Sequence, residues 1–178
     1  MKLIQLGMFT TVLALSTIGA TAQEVQYGVQ AGVNLPLSDL DKQVDGHPGF
    51  TLGGHLGLYY GNGHELRPWL DFTYYSGSNL VLSGAKNTVS GFGAGADYLY
   101  YFQTRPQGIY ATGGLGLRNW TVNPDVGAST TKTSLSLAVG AGYRFNRSVS
   151  GEVRYVIGQF QSPNGQASSL QALASLRF

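Results

Sequence analysis

The chain contains no cysteine and little charge. Without cysteine it can form no disulfide, and it lacks the residue that would carry a lipid anchor at a cleavage site. Charged residues make up 11% of the chain, against about 25% in a typical soluble domain. The formal net charge is only +2, so the clustered basic excess of a nucleic-acid-binding protein is missing.

Aromatic residues and glycine are abundant instead. Aromatics reach 12% of the chain, with 11 tyrosines, and glycine occurs 26 times. Disordered chains have few aromatic residues and much net charge, which is the opposite composition. The combination indicates an all-β protein with little surface exposed to water.

The first 22 residues have the pattern of a secretory signal peptide. Lys2 precedes an apolar stretch from Leu3 to Ile18, and Ala20-Thr21-Ala22 is the small-x-small pattern that signal peptidase reads. The apolar run is too short to favour a membrane helix. We therefore predict a cleaved helical signal peptide at residues 1–22, followed by one domain at residues 23–178.

Alternation of apolar and polar residues runs through the rest of the chain. In the first segment, Val25, Tyr27 and Val29 share one parity, while Gln26 and Gly28 share the other. Successive side chains of a strand point to opposite faces, so each such segment predicts a strand with one apolar face. Eight segments show the pattern, at residues 25–35, 50–60, 66–74, 91–100, 109–118, 134–145, 149–157 and 170–178.

The connections between these segments alternate in length. Short ones lie near residues 61–63, 103–107 and 146–147, and longer polar ones span residues 36–48, 76–87, 121–132 and 158–168. Short turns on one side and long loops on the other are typical of a transmembrane barrel. The sequence predicts an all-β fold, an eight-stranded antiparallel up-and-down transmembrane β-barrel.

The polar parity is expected to face the lumen. A soluble lipocalin-like or avidin-like barrel would have its apolar face inside, but the strand charges are too sparse to solvate a whole outer surface. Glycine fills much of the same parity, as a narrow eight-stranded lumen with large residues requires. The charged residues of this predicted lumen network are Arg67, Asp71, Asp97, Arg118, Arg144, Glu152, Arg154 and Arg177.

Opposite charges inside a confined lumen should pair, because an isolated buried charge is costly. Aligning the strands by their short turns predicts the partners. Arg154 should bridge Asp71 or Asp97, and Glu152 should meet Arg144 or Arg177.

The apolar parity is expected to face lipid. Its aromatic residues cluster near the short-turn end of the strands, where a membrane interface favours amphipathic rings. This predicted aromatic girdle consists of Tyr27, Tyr60, Tyr98, Tyr100, Tyr143, Phe145 and Phe178.

No catalytic, cofactor or firm metal site is indicated. The three histidines, His47, His55 and His64, have no closely spaced nucleophile, and His55 is expected to hydrogen-bond Gln30 or another lumen group. The glycines of residues 91–95 share the lumen parity and precede no helix, so packing explains them better than a nucleotide.

Three aspartates in the first long loop give the hypothesis of a calcium site. Asp39, Asp41 and Asp45 carry the right ligand type, but their spacing departs from the EF-hand pattern. Solvated loop carboxylates are the competing interpretation.

The closing segment is similar to the recognition signal of outer-membrane proteins. It alternates and ends in a terminal aromatic residue, and the mature chain as a whole, including residues 66–72 and the glycine-rich strands, resembles the OmpA/OmpX-type small barrels of Gram-negative outer membranes. The resemblance implies contact with outer-membrane lipid and lipopolysaccharide, and recognition of the last strand by the barrel-assembly machinery. The residues of this predicted assembly signal are Leu170, Ala172, Ala174, Leu176 and Phe178.

Three functions are compatible with such a barrel. The first is a structural or surface-interaction protein with a plugged polar lumen, whose extracellular loops carry any recognition. The second is a narrow channel, and the third is a lipid A-modifying enzyme. The absence of a catalytic constellation favours a non-enzyme, and the large predicted lumen side chains favour the first function over the second.

Overall fold

The computed structural model describes residues 22–76, 87–124, 127–159 and 166–178, and its eight strands form one closed barrel. The predicted signal peptide, apart from Ala22, lies outside the described residues. Within the described ranges, no helix is long and apolar enough to span a membrane. The elements are β1 (Glu24–Leu37), α1 (Ser38–Val44), β2 (Gly49–Gly61), β3 (His64–Tyr75), β4 (Asn87–Tyr101), β5 (Gly108–Pro124), β6 (Thr130–Arg144), β7 (Val149–Gln159) and β8 (Gln166–Arg177).

Each strand pairs antiparallel with its neighbours in sequence, and β1 pairs with β8 to close the barrel. Gly28 of β1 lies opposite His55 of β2 on one side and Arg177 of β8 on the other. The eight-stranded, up-and-down, antiparallel architecture predicted from the alternation is therefore confirmed.

The two parities lie where the sequence predicts them. On β6, Leu135, Leu137 and Val139 are exposed on the outer surface, whereas Ser134 and Ser136, on the other parity, are buried in the lumen. A strand that separates two environments must alternate in this way, because its side chains point to opposite faces in turn. The apolar face is the outer surface.

Inward-facing glycines leave room for the largest lumen side chain. A β-carbon at Gly95 would lie 2.6 Å from the ring of Trp69, and one at Gly116 would lie 2.8 Å from it. Such distances are far inside van der Waals contact, so neither position tolerates a side chain without movement of the indole. The glycines on β4 and β5 allow Trp69 to lie across the barrel interior.

The first long connection differs from the polar loop predicted for it. Residues Ser38–Val44 form the short helix α1, whose Leu40 and Val44 are buried. These two residues lie four apart and therefore share one helix face. That face packs at the long-loop end of the barrel in an apolar cluster, the mouth cluster, formed by Leu40, Val44, Tyr75, Val89, Trp120, Val122 and Ala167.

The third connection is shorter than predicted, because its strands continue past the expected boundaries. The Asn119 amide donates to the Thr133 hydroxyl at 3.1 Å, and the hydroxyls of Thr121 and Thr131 form a hydrogen bond at 3.2 Å. The cross-strand bonds keep residues that were predicted as loop within β5 and β6. Most of the second and fourth predicted loops lies outside the described residues.

Candidate functional site: the barrel lumen

Among the residues that the structure describes, the lumen contains nine buried charged side chains, five arginines and four carboxylates. The sequence identified eight of them and missed Glu65, since the third strand was predicted to begin at Leu66. Glu65 shares the parity of Arg67, so extending the strand by one residue would have found it. The nine are Glu65, Arg67, Asp71, Asp97, Arg118, Arg144, Glu152, Arg154 and Arg177.

Arg67 is the centre of the network. Its Nη2 donates to Asp97 Oδ2 at 2.8 Å and to Glu152 Oε2 at 2.8 Å, so it joins β4 to β7 across the barrel. The Trp69 indole N–H donates to the other oxygen of Asp97 at 3.0 Å, and the Tyr110 hydroxyl donates to Glu152 at 3.0 Å. Both carboxylates are thus held by charged and neutral donors together, the arrangement that buried carboxylates require.

Arg154 lies between two carboxylates, as the sequence predicts. Its guanidinium is 3.3 Å from Asp97 and 3.7 Å from Asp71, and its Nε donates to the side chain of Gln171 at 2.7 Å. Both carboxylates have a shorter bond to another arginine, 2.8 Å in each case. Arg154 is therefore a second partner for them.

The pairing predicted for Glu152 is wrong. Glu152 meets Arg67 at 2.8 Å, while Arg144 and Arg177 both lie against Glu65, at 3.6 and 2.8 Å. The error has two physical causes. Glu65 was absent from the predicted network, and the stagger between strands in a barrel changes the relative heights of residues aligned by their turns.

The Glu65 group lies nearer the short turns. The Tyr101 hydroxyl donates to Glu65 Oε2 at 2.9 Å, and Arg177 Nη1 donates to Glu65 Oε1 at 2.8 Å. Arg144 donates to the side chain of Gln26 on the opposite wall and to the carbonyl of Arg147 at 2.8 Å. Glu65, Tyr101, Arg144 and Arg177, the Glu65 group, thus form a second layer of cross-links on the short-turn side of Arg67.

A third layer lies toward the long-loop end. Arg118 donates to Asp71 at 2.8 Å and to the Thr73 hydroxyl at 2.6 Å. Its guanidinium lies 5.9 Å from the ring centre of Trp69 and 5.4 Å from that of Trp120. Cation–π contact of this kind is favourable when the cation is desolvated, as it is here.

The histidines do not form a common site. His55 is buried in the lumen, His47 bonds backbone carbonyls beside α1, and His64 bonds the Tyr98 hydroxyl at the short-turn end. The hydrogen bond expected between His55 and Gln30 is wrong, because neither side chain has a hydrogen-bond partner among the described residues. Packing positions His55, whose ring lies directly over Gly28.

The three aspartates of the first loop do not converge on a calcium site. Within the described ranges, no three acidic, histidine or cysteine side chains lie close enough to hold a metal ion. The Asp39 carboxylate instead accepts from Lys42 and from the backbone N–H of Gln166, both at 3.0 Å. The hydrogen bond from Lys42, and after it the bond from the Gln166 N–H, lower the pKa of Asp39 below its usual value of 3.8.

The comparison with protein families decides what kind of barrel this is. The model of the outer membrane protein beta-barrel domain matches residues 9–178. The chain belongs to the outer-membrane β-barrel family. The comparison with curated proteins gave no match.

Solved structures of small outer-membrane barrels have the same fold. The attachment invasion locus protein Ail of Yersinia pestis is 15% identical, with a TM-score of 0.61 over 88% of this chain and 100% of that one. The N-terminal β-barrel domain of Pseudomonas aeruginosa OprF is 15% identical, with a TM-score of 0.56 over 86% and 97%. Neisserial surface protein A is 19% identical, with a TM-score of 0.58 over 86% and 97%.

Family membership orients this outer-membrane barrel. The protein is located in the Gram-negative outer membrane, where the short turns of such barrels face the periplasm and the longer loops face the exterior. The short-turn end with the Glu65 group is therefore periplasmic. The long-loop end with α1 and the mouth cluster is extracellular.

The aromatic girdle residues lie on the outer surface of this outer-membrane barrel, close to the periplasmic turns. The rings of Tyr98 and Tyr100 lie 5.9 and 5.3 Å from the ring of His64, and Tyr143 contacts Phe145 at 5.0 Å. Six of the seven are exposed, and Tyr60 is partly covered. Phe102, also outward and exposed, was missed because the fourth strand was predicted to end at residue 100. Their role at the membrane interface stays a prediction.

The predicted assembly signal lies on the outward parity of β8 and at its end. Phe178 is 78% exposed, and its backbone exchanges two hydrogen bonds with Tyr27 of β1, at 2.9 and 3.2 Å. The terminal residue thus lies at the seam where the first and last strands meet. Recognition of this strand by the assembly machinery stays a prediction.

Proposed function

We propose that this outer-membrane barrel is a non-conducting structural scaffold, with a plugged lumen and with recognition by its extracellular loops. The observation that carries the proposal is the bridge from Asp97 through Arg67 to Glu152, with 2.8 Å contacts on both sides. It crosses the lumen at mid-height. An ion passing this level would have to break buried ion pairs, which is costly.

The small free space beside Trp69 supports the same proposal. The cavity beside Trp69, between Arg118 and Arg154, has a volume of about 10 Å³. That is near the lower limit of about 10–15 Å³ that a single water molecule needs. Space on this scale does not support a continuous aqueous path past the indole.

The extracellular end contributes a further barrier. Leu40 and Val44 of α1 are 1% and 0% exposed in the mouth cluster, where they meet Tyr75 and Trp120. A hydrated ion would lose its water against these apolar groups. The helix therefore supports a lumen that is obstructed from outside as well as at its centre.

Conductance in planar bilayers tests the proposal. We expect no ion-conducting steps from the purified barrel, and we expect measurable steps from the charge-balanced double variant Arg67→Ser with Glu152→Ser, which removes the central bridge. An Asn123→Ser variant, altered on the outer surface beyond the membrane, is the matched control and should stay silent. If the unaltered barrel conducts as freely as the double variant, the narrow-channel hypothesis takes its place.

The loops are proposed to carry recognition because they are the part of the barrel that reaches the exterior. Ail has been solved in complex with the heparin analogue sucrose octasulfate. The described extracellular side chains of this chain include Asp39, Asp41 and Asp45 against Lys42 and Lys132. Acidic side chains outnumber basic ones in this set. The set therefore does not support a polyanionic ligand, such as the heparin analogue bound by Ail, for this chain.

Two further partners follow from the location of the barrel. We propose that lipopolysaccharide surrounds the extracellular part of the outer surface, and that the barrel-assembly machinery recognises β8 through its outward residues and Phe178. The lipid A-modifying enzyme is not favoured, because His55 is enclosed beside Gly28 and lies apart from the other histidines. Lipid A mass spectra that change with the presence of the protein would reverse that judgement.

A further inference from the structure

The periplasmic end of the barrel contains a cavity of about 380 Å³. It lies between the β4–β5 turn and the β6–β7 turn, at the mouth of the lumen. Its charged lining is strongly unbalanced, since Arg105, Arg144 and Arg147 face it together with one carboxylate, Glu24. A cleft lined by one sign of charge concentrates ions of the opposite sign.

Two of these arginines have no acidic partner in the part of the chain that the structure describes. Arg105 and Arg147 are both exposed on their turns, and no ion pair joins either to a carboxylate. The Glu24 carboxylate accepts a hydrogen bond from the side chain of Gln26 at 2.7 Å instead. The guanidinium groups of the two turns are therefore available to an outside ligand.

The third arginine adds a buried, only partly compensated charge. Arg144 is 2% exposed, and its nearest carboxylate, Glu65, is 3.6 Å away. Glu65 is already held by Arg177 at 2.8 Å. Because five arginines share four carboxylates among the described lumen residues, the excess positive charge lies at the layer that borders this cavity.

Hydrogen bonds hold the walls of the cavity in place. The Tyr59 hydroxyl donates to the carbonyl of Thr104 at 2.5 Å, which ties β2 to the β4–β5 turn. Arg144 donates to the carbonyls of Asn146 and Arg147 at 3.3 and 2.8 Å, which ties it to the β6–β7 turn. The two turns and the Arg144 guanidinium are thus held in place before any ligand arrives, which lowers the entropic cost of binding.

We propose that this cavity is a binding site for a phosphate-type anion reached from the periplasm. Planar guanidinium groups match phosphate oxygens with paired N–H donors, and Arg serves this purpose better than Lys. The ligand is either free phosphate or the phosphate of a phospholipid head group from the inner leaflet of the membrane. The site shares Arg144 with the lumen network, but it does not depend on the proposed block to conduction or on the extracellular loops.

Titration calorimetry with inorganic phosphate tests the proposal, with the folded barrel in an uncharged maltoside detergent at low ionic strength. We expect binding to the unaltered protein and a loss of about tenfold or more in affinity for Arg105→Gln with Arg147→Gln. Glu24→Gln removes the one carboxylate of the described cavity lining and should tighten binding, an outcome that misfolding cannot produce. The matched control is Lys42→Gln with Lys132→Gln, which removes two charges at the extracellular end and should leave phosphate affinity unchanged.

The two sources of phosphate are separated by a monomeric short-chain phosphatidylglycerol. If this lipid competes with inorganic phosphate and binds more tightly, the site takes a lipid head group. If inorganic phosphate binds and the lipid does not compete, the site takes a soluble anion. Absence of binding by both probes overturns the proposal, as does an equal loss of affinity in the control variant.

Discussion

Replacing Arg67 by Met is the most informative perturbation of the lumen. Methionine keeps an unbranched side chain of similar reach but removes the charge that joins Asp97 to Glu152. Arg154 remains 3.3 Å from Asp97 and 3.9 Å from Glu152, and the Tyr110 hydroxyl still donates to Glu152. The two carboxylates therefore keep weaker partners.

The geometry sets the size of the effect. Removing one partner of a buried ion pair costs about 3–5 kcal/mol, and the remaining donors place Arg67→Met at the lower end, about 3 kcal/mol. Arg154→Met should cost less, because Asp97 and Asp71 each keep an arginine at 2.8 Å. The expected order, with Arg67→Met more destabilising than Arg154→Met, follows directly from the distances between these arginines and their carboxylates.

Urea unfolding in lipid vesicles measures the difference, followed by the fluorescence of Trp69 and Trp120, the two tryptophans of the chain. Combining Arg67→Met with Glu152→Gln removes both partners and should recover most of the lost free energy of unfolding, since replacing a whole buried pair is close to neutral. The reasoning fails if Arg67→Met unfolds like the unaltered barrel, or if the double variant is no more stable than the single one.

Three other predictions concern the outer surface, the loop helix and export. Leu137→Arg, near the bilayer midplane, should destabilise the barrel by about 2–4 kcal/mol. Ala128→Arg, in an exposed extracellular loop, should change the free energy of unfolding little. Equal costs of the two changes in vesicle refolding would contradict a lipid-facing Leu137. The pKa of Asp39 is held below 3.8. The ionised carboxylate should therefore stabilise the attachment of α1 fully above pH 3.8, and this stabilisation should be lost as the pH falls through the lowered pKa. The NMR shift of the Gln166 amide should titrate there, and Asp39→Asn should abolish the titration. Amino-terminal sequencing of envelope material should begin at Gln23, and an uncleaved chain in the membrane would contradict the signal peptide.

The strands and their orientation could be read from the sequence because each strand separates two solvents. Leu137 faces lipid and Ser136 faces the lumen, and this contrast produces the alternation of apolar and polar residues along the strand. The partners inside the lumen could not be read in the same way. Glu65 meets Arg177 because of the stagger between strands, which no single segment reveals.

The helix α1 escaped prediction for a different reason. Seven residues are too few to form a stable helix by their own propensity. Leu40 and Val44 gain their stabilisation from Tyr75, Trp120 and the rest of the mouth cluster, which lie on strands distant in sequence. The helix therefore depends on tertiary contacts, which the local sequence does not show.

The attachment of α1 also sets an order of events during assembly. The helix follows β1 directly, yet Asp39 bonds the backbone of Gln166, and Ser38 pairs with Ala167 at the start of β8. Those partners exist only after the last strand has paired with the first. Leu40 and Val44 can meet the mouth-cluster residues of β3, β4 and β5 earlier, but the contacts of Asp39 and Ser38 with β8 need a closed seam. A barrel still open there is therefore expected to hold α1 less firmly over its outer mouth.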